Sequence, residues 1–172
     1  MTSTCSLLRH SRQLLGFVLI GLLLQPPVAS ADGGGPLVND YRKTYIATGS
    51  FADVRDLLEL AITDRGIVIN HVSHIGNMLS RTAEDVGSEI EVFGEAEAFE
   101  FCSSVFSRKM MEADRHNIVF CPYVIAVYTL PSEANRVYLS YRRPQLVGSE
   151  ASKQSLREVE GLLDEIIKES LQ

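Results

Sequence analysis

Residues 119–128 read Val119-Phe120-Cys121-Pro122-Tyr123-Val124-Ile125-Ala126-Val127-Tyr128, and this run decides the fold. It is apolar and β-branched, as a strand buried on both faces would be. It also holds a proline, which a central strand excludes because it cannot donate a ladder hydrogen bond. Pro122 therefore marks a structural break, the point where the strand enters or bends within a sheet. Cys121 before it is held extended. Tyr123 to Tyr128 becomes the central buried part, with Val124 inside it.

Working outward, the same strand extends over Asn117 to Thr129, and Arg136 to Tyr141 forms another. Pro131-Ser132-Glu133-Ala134-Asn135 between them is short enough for an antiparallel hairpin. Upstream, Thr44 to Thr48 and Gly66 to Val72 read as strands, and Ala98 to Cys102 as a third. Ser50 with Asp53 three residues on starts a helix, with Val54, Leu57, Leu58 and Ala61 on one face. His74 to Val86 is a second helix, with Ile75, Met78, Leu79 and Val86 inward and Gly87 as its stop. Ser104 to Ala113 is a third. The last runs from about Ser152 to Leu171 with a stripe of Leu156, Val159, Leu163, Ile166 and Ile167. Glu89 to Glu100 is acidic and reads as a solvated connection. The order βαβαβαββα predicts a single α+β domain over residues 41–172. Its mixed sheet has about five strands, helices pack on it, and a helix closes the chain.

The chain has 172 residues, 45% apolar and 22% charged, with a formal net charge of -6. Acidity without a basic cluster, and no tryptophan, argue against nucleic-acid binding. Residues 1–31 read as a secretory signal peptide. Arg9, His10 and Arg12 precede the uncharged run Leu14 to Leu24, and Ala29-Ser30-Ala31 offers a small-residue cleavage site. The run is shorter than the roughly 20 residues that span a bilayer, so no stable membrane span is expected after cleavage. The protein is then periplasmic or secreted. Residues 32–40, which include Gly33-Gly34-Gly35, read as a flexible leader. Cleavage removes Cys5 and leaves Cys102 and Cys121.

Those two cysteines close the ends of a strand–helix–strand unit. A right-handed crossover would make the strands parallel neighbours. The pair then has three readings: inert core thiols, a disulfide, or ligands to a metal or a redox pair. His71 and His74 form an H-x-x-H across a strand end and a helix start. They are metal-ligand candidates if both turn to one side; otherwise one is a surface histidine and the other a core one. Met110 and Met111 fit core packing, one inside and one at its border. No GxGxxG, P-loop, HExxH or CxxC occurs, and no carboxylate or serine–histidine spacing fixes a catalytic pair.

The segment FEFCSSVFSRKMMEADRHNIVFCPYVIAVY from Phe99 to Tyr128 resembles the bacterial domain of unknown function 302 (DUF 302) family. So do HIGNMLSRTAEDVG upstream and Tyr141-Arg142-Arg143-Pro144. The resemblance spans roughly Tyr41 to Leu171. It implies a small α+β domain, often a homodimer, with no settled activity; the sequence names no cofactor. The leading functional expectation is an exported binding or accessory protein rather than an enzyme. It would hold a small ligand or metal ion near Cys102, Cys121, His71 and His74. A thiol-active redox protein using the two cysteines, and a dimeric interaction module without chemistry, are the alternatives.

Overall fold

The computed structural model describes residues 35–172; the signal peptide read at residues 1–31 lies outside them. Six strands form one sheet: β1 (Leu37–Val38), β2 (Arg42–Thr48), β3 (Ile69–Ser73), β4 (Ala96–Phe101), β5 (Tyr123–Tyr128) and β6 (Arg136–Arg142). Four helices join them: α1 (Phe51–Thr63), α2 (Ile75–Thr82), α3 (Ser104–Ala113) and α4 (Glu150–Ser170), with a 3₁₀ helix at Arg115–Phe120. The class is α+β, and from β2 onward the order of strands and α-helices is the one read from the sequence. The sheet runs β1-β2-β6-β5-β4-β3. Every pairing is antiparallel, so the sheet is not mixed, and β1 adds a sixth strand inside the stretch read as leader. The Asn39 side chain holds the turn after β1 by accepting from the backbone N–H groups of Tyr41 and Arg42.

The expected parallel crossover between the two cysteines is replaced by an antiparallel pair, β4 and β5. The cause lies at residues 117–120, which read as strand and fold as 3₁₀ helix. The ten-residue α3 carries the chain about 15 Å from the sheet end. The 3₁₀ segment brings it back to the end it left, so Tyr123 pairs with Phe101. Two side chains enforce that reversal. Asp114 accepts from the His116 N–H at 2.9 Å. Buried Asn117 donates to the Met110 carbonyl at 3.1 Å and to Ser152 Oγ on α4 at 2.9 Å. Such local capping competes with strand formation and is invisible to an apolar pattern. β5 then starts directly after Pro122. Cys121 is extended, as expected before proline, and the Cys121–Pro122 bond is cis.

The core lies between one face of the sheet and α1, α3 and α4. Tyr45, Phe99, Phe101, Tyr123, Ile125, Val127, Leu139 and Tyr141 meet Val54, Leu58 and Ile62 of α1, Met110 of α3, and Leu156, Val159, Leu163, Ile166 and Ile167 of α4. The α4 stripe and the inward Met110 are as read. In α1, Ser50 caps the helix by accepting from the Asp53 N–H, but Leu57 turns out to solvent and Ile62 takes its place inside. α2 departs most. It ends at Thr82, four residues short of Val86, and none of its residues is fully buried. It is fixed by close backbone approach instead. A Cβ on Gly76 would stand 2.8 Å from the Ala96 backbone nitrogen of β4, so only glycine fits there.

Candidate functional site

Strand alternation divides each strand between two faces. On β5, Tyr123, Ile125 and Val127 enter the core, while Val124, Ala126 and Tyr128 face the other way and are half-buried. Val124, expected in the core, therefore belongs to the opposite face. Register extends that face in rows across the sheet. Thr44, Ser140, Ala126, Ala98 and Ser73 form a row of small side chains. Ile46, Tyr138, Tyr128 and Ala96 form the next row. Tyr128 and Tyr138 stack there at 5.2 Å, and Phe93 meets Tyr128 edge-on at 5.4 Å.

α1, α3 and α4 all lie on the other side, and Ser140, Ala126, Tyr128 and Ala96 of these rows, with Val124, floor an open groove of about 750 Å³. Ile75 of α2, Phe93 and Leu130 wall it on one side; Tyr41, Arg42 and Arg142 stand on the other. The lining is largely apolar and aromatic. Among the described residues no buried side-chain nitrogen or oxygen lacks a partner. Polar chemistry in the groove therefore comes from its rim.

Of the four candidates from sequence, the two histidines lie at the β3 edge of the sheet. His71 sits opposite Glu100 on β3, the edge strand. Glu100 accepts from the Ser73 hydroxyl at 3.0 Å. His74 precedes α2 and donates from Nδ1 to Glu97 at 2.9 Å. Glu97 also takes Arg55 of α1 at 3.2 Å. Glu100 and Glu97 are three positions apart on β4 and so on opposite faces, and the two histidines do not converge on one acid.

The cysteines lie at the far end of β4. Cys102 and Cys121 are joined as a disulfide, with Cα atoms 6.5 Å apart. The bond ties the end of β4 to the start of β5 across α3 and the 3₁₀ helix. Ser107 of α3 lies beside it, 3.7 Å from Cys121 Sγ and 3.0 Å from the Tyr123 hydroxyl. Burial raises the Tyr123 phenol against the lowering effect of that hydrogen bond. His74 and Cys102 are five strand positions apart along β4, roughly 16 Å. The four side chains do not assemble into one site. Bonded sulfurs are not thiolate ligands, and among the described residues no three His, Cys, Asp or Glu side chains are placed to hold a metal ion.

A polar cluster under α4 was not read from the sequence. Asp164 accepts from Lys43 and Tyr45 of β2, from Tyr141 of β6 at 3.2 Å, and meets Lys168 at 2.6 Å. Its side chain is 15% exposed. Burial alone would raise this carboxyl. Hydrogen bonds from Lys168, Lys43 and Tyr45, with the charge of Lys43, overcome that and hold it well below the usual carboxylate range. Burial first, then the charges of Asp164 and Glu160, push the Tyr141 phenol far above its ordinary value. With four partners on one carboxylate, the cluster fastens α4 to β2 and β6. The sequence signal is an acid beside the inward stripe of α4, and two of its four partners are more than a hundred residues away on β2.

A family described as "Domain of unknown function DUF302" matches residues 43–170. A crystal structure of an uncharacterized conserved DUF302 protein from Bacillus stearothermophilus shares the fold at a TM-score of 0.62. Identity is 16%, over 76% of this chain and 98% of that one, which shows likeness of fold alone. No curated protein matches the chain. No helix among the described residues is long and apolar enough to cross a membrane. Matched over most of its length, from β2 to the end of α4, the chain belongs to the DUF302 family.

Proposed function

We propose that the chain is an exported binding or accessory module that holds a small apolar molecule in the groove on the face of its sheet opposite α1, α3 and α4. One observation carries this reading. Three helices cover one face of the sheet, while the other face keeps a groove of about 750 Å³ lined by Ile75, Phe93, Val124, Ala126 and Tyr128. Sites for small molecules have this size and character. Export is supported by the signal-peptide pattern of residues 1–31 and by the disulfide, which an oxidising compartment maintains.

The test is a neutral apolar dye, N-phenyl-1-naphthylamine, titrated against wild type and Ala126→Trp. The reading expects saturable one-to-one binding to wild type. It expects loss of that binding in the variant, whose indole fills the groove, at an unchanged melting temperature. Equal binding by both proteins, or none by wild type, defeats it. Edman sequencing of exported protein tests the compartment: the first residue should be Asp32, and Ala31→Leu should block processing because the cleavage pocket takes small residues.

A redox role is the second reading, favoured by the half-exposure of both bonded cysteines. It requires that a fraction of Cys102 and Cys121 be found reduced in freshly exported protein. Quantitative disulfide under that condition removes it.

A further inference from the structure

We propose that the ligand of the groove is a monomeric anionic amphiphile, a carboxylate on an apolar body, whose headgroup is held by Arg42 and Arg142. This rests on the reading of the open face as a binding site and adds the class of molecule bound. Arg42 and Arg142 are directly opposed across β2 and β6, and both line the groove. Like charges in that position repel. Their chain neighbours face the other side of the sheet and are neutralised: Lys43 by Asp164, and Arg143 by Glu160 at 2.6 Å. Among the described residues neither Arg42 nor Arg142 meets a carboxylate within 4.0 Å, in a chain with 22 acidic and 16 basic residues.

The nearby acids do not meet them. Glu97 borders the groove, but its register with Val127 turns its side chain to the helix face, where Arg55 and His74 take it. Glu100 shares the open face but lies on β4, two strand spacings or about 10 Å from β6, where it accepts the Ser73 hydroxyl. The groove is therefore basic at the β2–β6 end and apolar between. A carboxylate there would meet two planar forks of N–H donors, the geometry that suits guanidinium, and would relieve the repulsion. The body would lie across β5 toward Phe93 and α2. The floor from β2 to β4 crosses three strand spacings, about 14 Å, the reach of a medium-length chain.

The experiment is calorimetric titration of the purified protein with decanoate, decanol and decyltrimethylammonium, each below its micelle concentration. Decanoate is expected to bind about tenfold or more tightly than decanol, and the cation least. Arg42→Gln/Arg142→Gln should bring decanoate to the affinity of decanol, with folding checked by circular dichroism. Arg42→Lys/Arg142→Lys should keep a preference for the anion. Decanol binding as tightly as decanoate would overturn the headgroup assignment and leave the groove standing. No binding by any of the three, together with failure of the neutral dye, would overturn both. Binding confined to vesicles of anionic phospholipid, without monomeric decanoate, would also overturn the proposal in favour of a membrane surface.

Discussion

The two faces of one sheet are built from the same strands and do different work. On β5 the residues alternate: Tyr123, Ile125 and Val127 are sealed under α1, α3 and α4, and Val124, Ala126 and Tyr128 floor an open groove. On β2 and β6 the division is chemical as well. Lys43, Tyr45, Tyr141 and Arg143 are bound into α4 through Asp164 and Glu160, whereas Arg42 and Arg142 face the groove without a carboxylate. The difference teaches where stability ends and recognition begins. The cations that β2 and β6 turn toward α4 are paired, and the two that they turn toward the groove are not.

The largest expected effect separates adjacent residues of β5. Ile125→Asp buries an unpaired charge in the closed face and should cost about 3–5 kcal/mol, enough to unfold much of a typical domain. Val124→Asp, one residue away on the open face, should cost under about 1 kcal/mol. Thermal melts of the two variants check this. Similar losses would break the distinction between the faces.

Removing the disulfide as Cys102→Ala/Cys121→Ala should cost roughly 3 kcal/mol, from release of a loop with a sequence separation of 19. Urea denaturation measures it. Dye binding in the groove should survive, because the bond ties β4 to β5 at the end away from His74.

Asp164→Asn should cost roughly 2–3 kcal/mol, since it strips a mostly buried carboxylate from two lysines and two phenols. The pH dependence follows from the shifts. The folded value of Asp164 is depressed, so its contribution is present above the unfolded value of about 3.9 and is lost as pH falls below it. Tyr45 and Tyr141 are raised, so theirs is present below about pH 10 and lost as pH climbs through the folded values. Melting temperature against pH should show both limbs in wild type and a weaker acid limb in the variant.

A modest effect on stability, and a large one on the groove, belongs to Gly76→Leu. Its side chain cannot fit against the β4 backbone, so α2 must lift. A modest fall in melting temperature with loss of dye binding is expected. Unchanged dye binding would show that α2 is not a wall of the site.

Element order was legible in the sequence because it rests on local periodicity. The helix at Ser104–Ala113, the hairpin of β5 and β6 and the stripe of α4 follow from spacing alone. Which parity of β5 faces the core was not, since Val124 and Ile125 are equally apolar. The choice is made by where α1, α3 and α4 pack. The direction of β5 was hidden for another reason. Asn117 reverses the chain through hydrogen bonds to Met110 and to Ser152, 35 residues on. For the site, the cysteine pairing was one of three open readings and proved to be the disulfide. The histidines lie, as read, across a strand end and a helix start, but they do not meet at one point. The groove itself has no local signature. It is made by register, which sets Ala126 beside Ser140 and Ala96 beside Tyr128 across three separate strands.

The most direct test is a ¹⁵N–¹H correlation spectrum of the protein titrated with decanoate. The account predicts progressive shifts at Arg42, Ile75, Ala96, Val124, Ala126, Tyr128 and Arg142, with the amides of α4 and of the Cys102–Cys121 end unmoved. Shifts centred on the disulfide or on α4, with the open face silent, would contradict it.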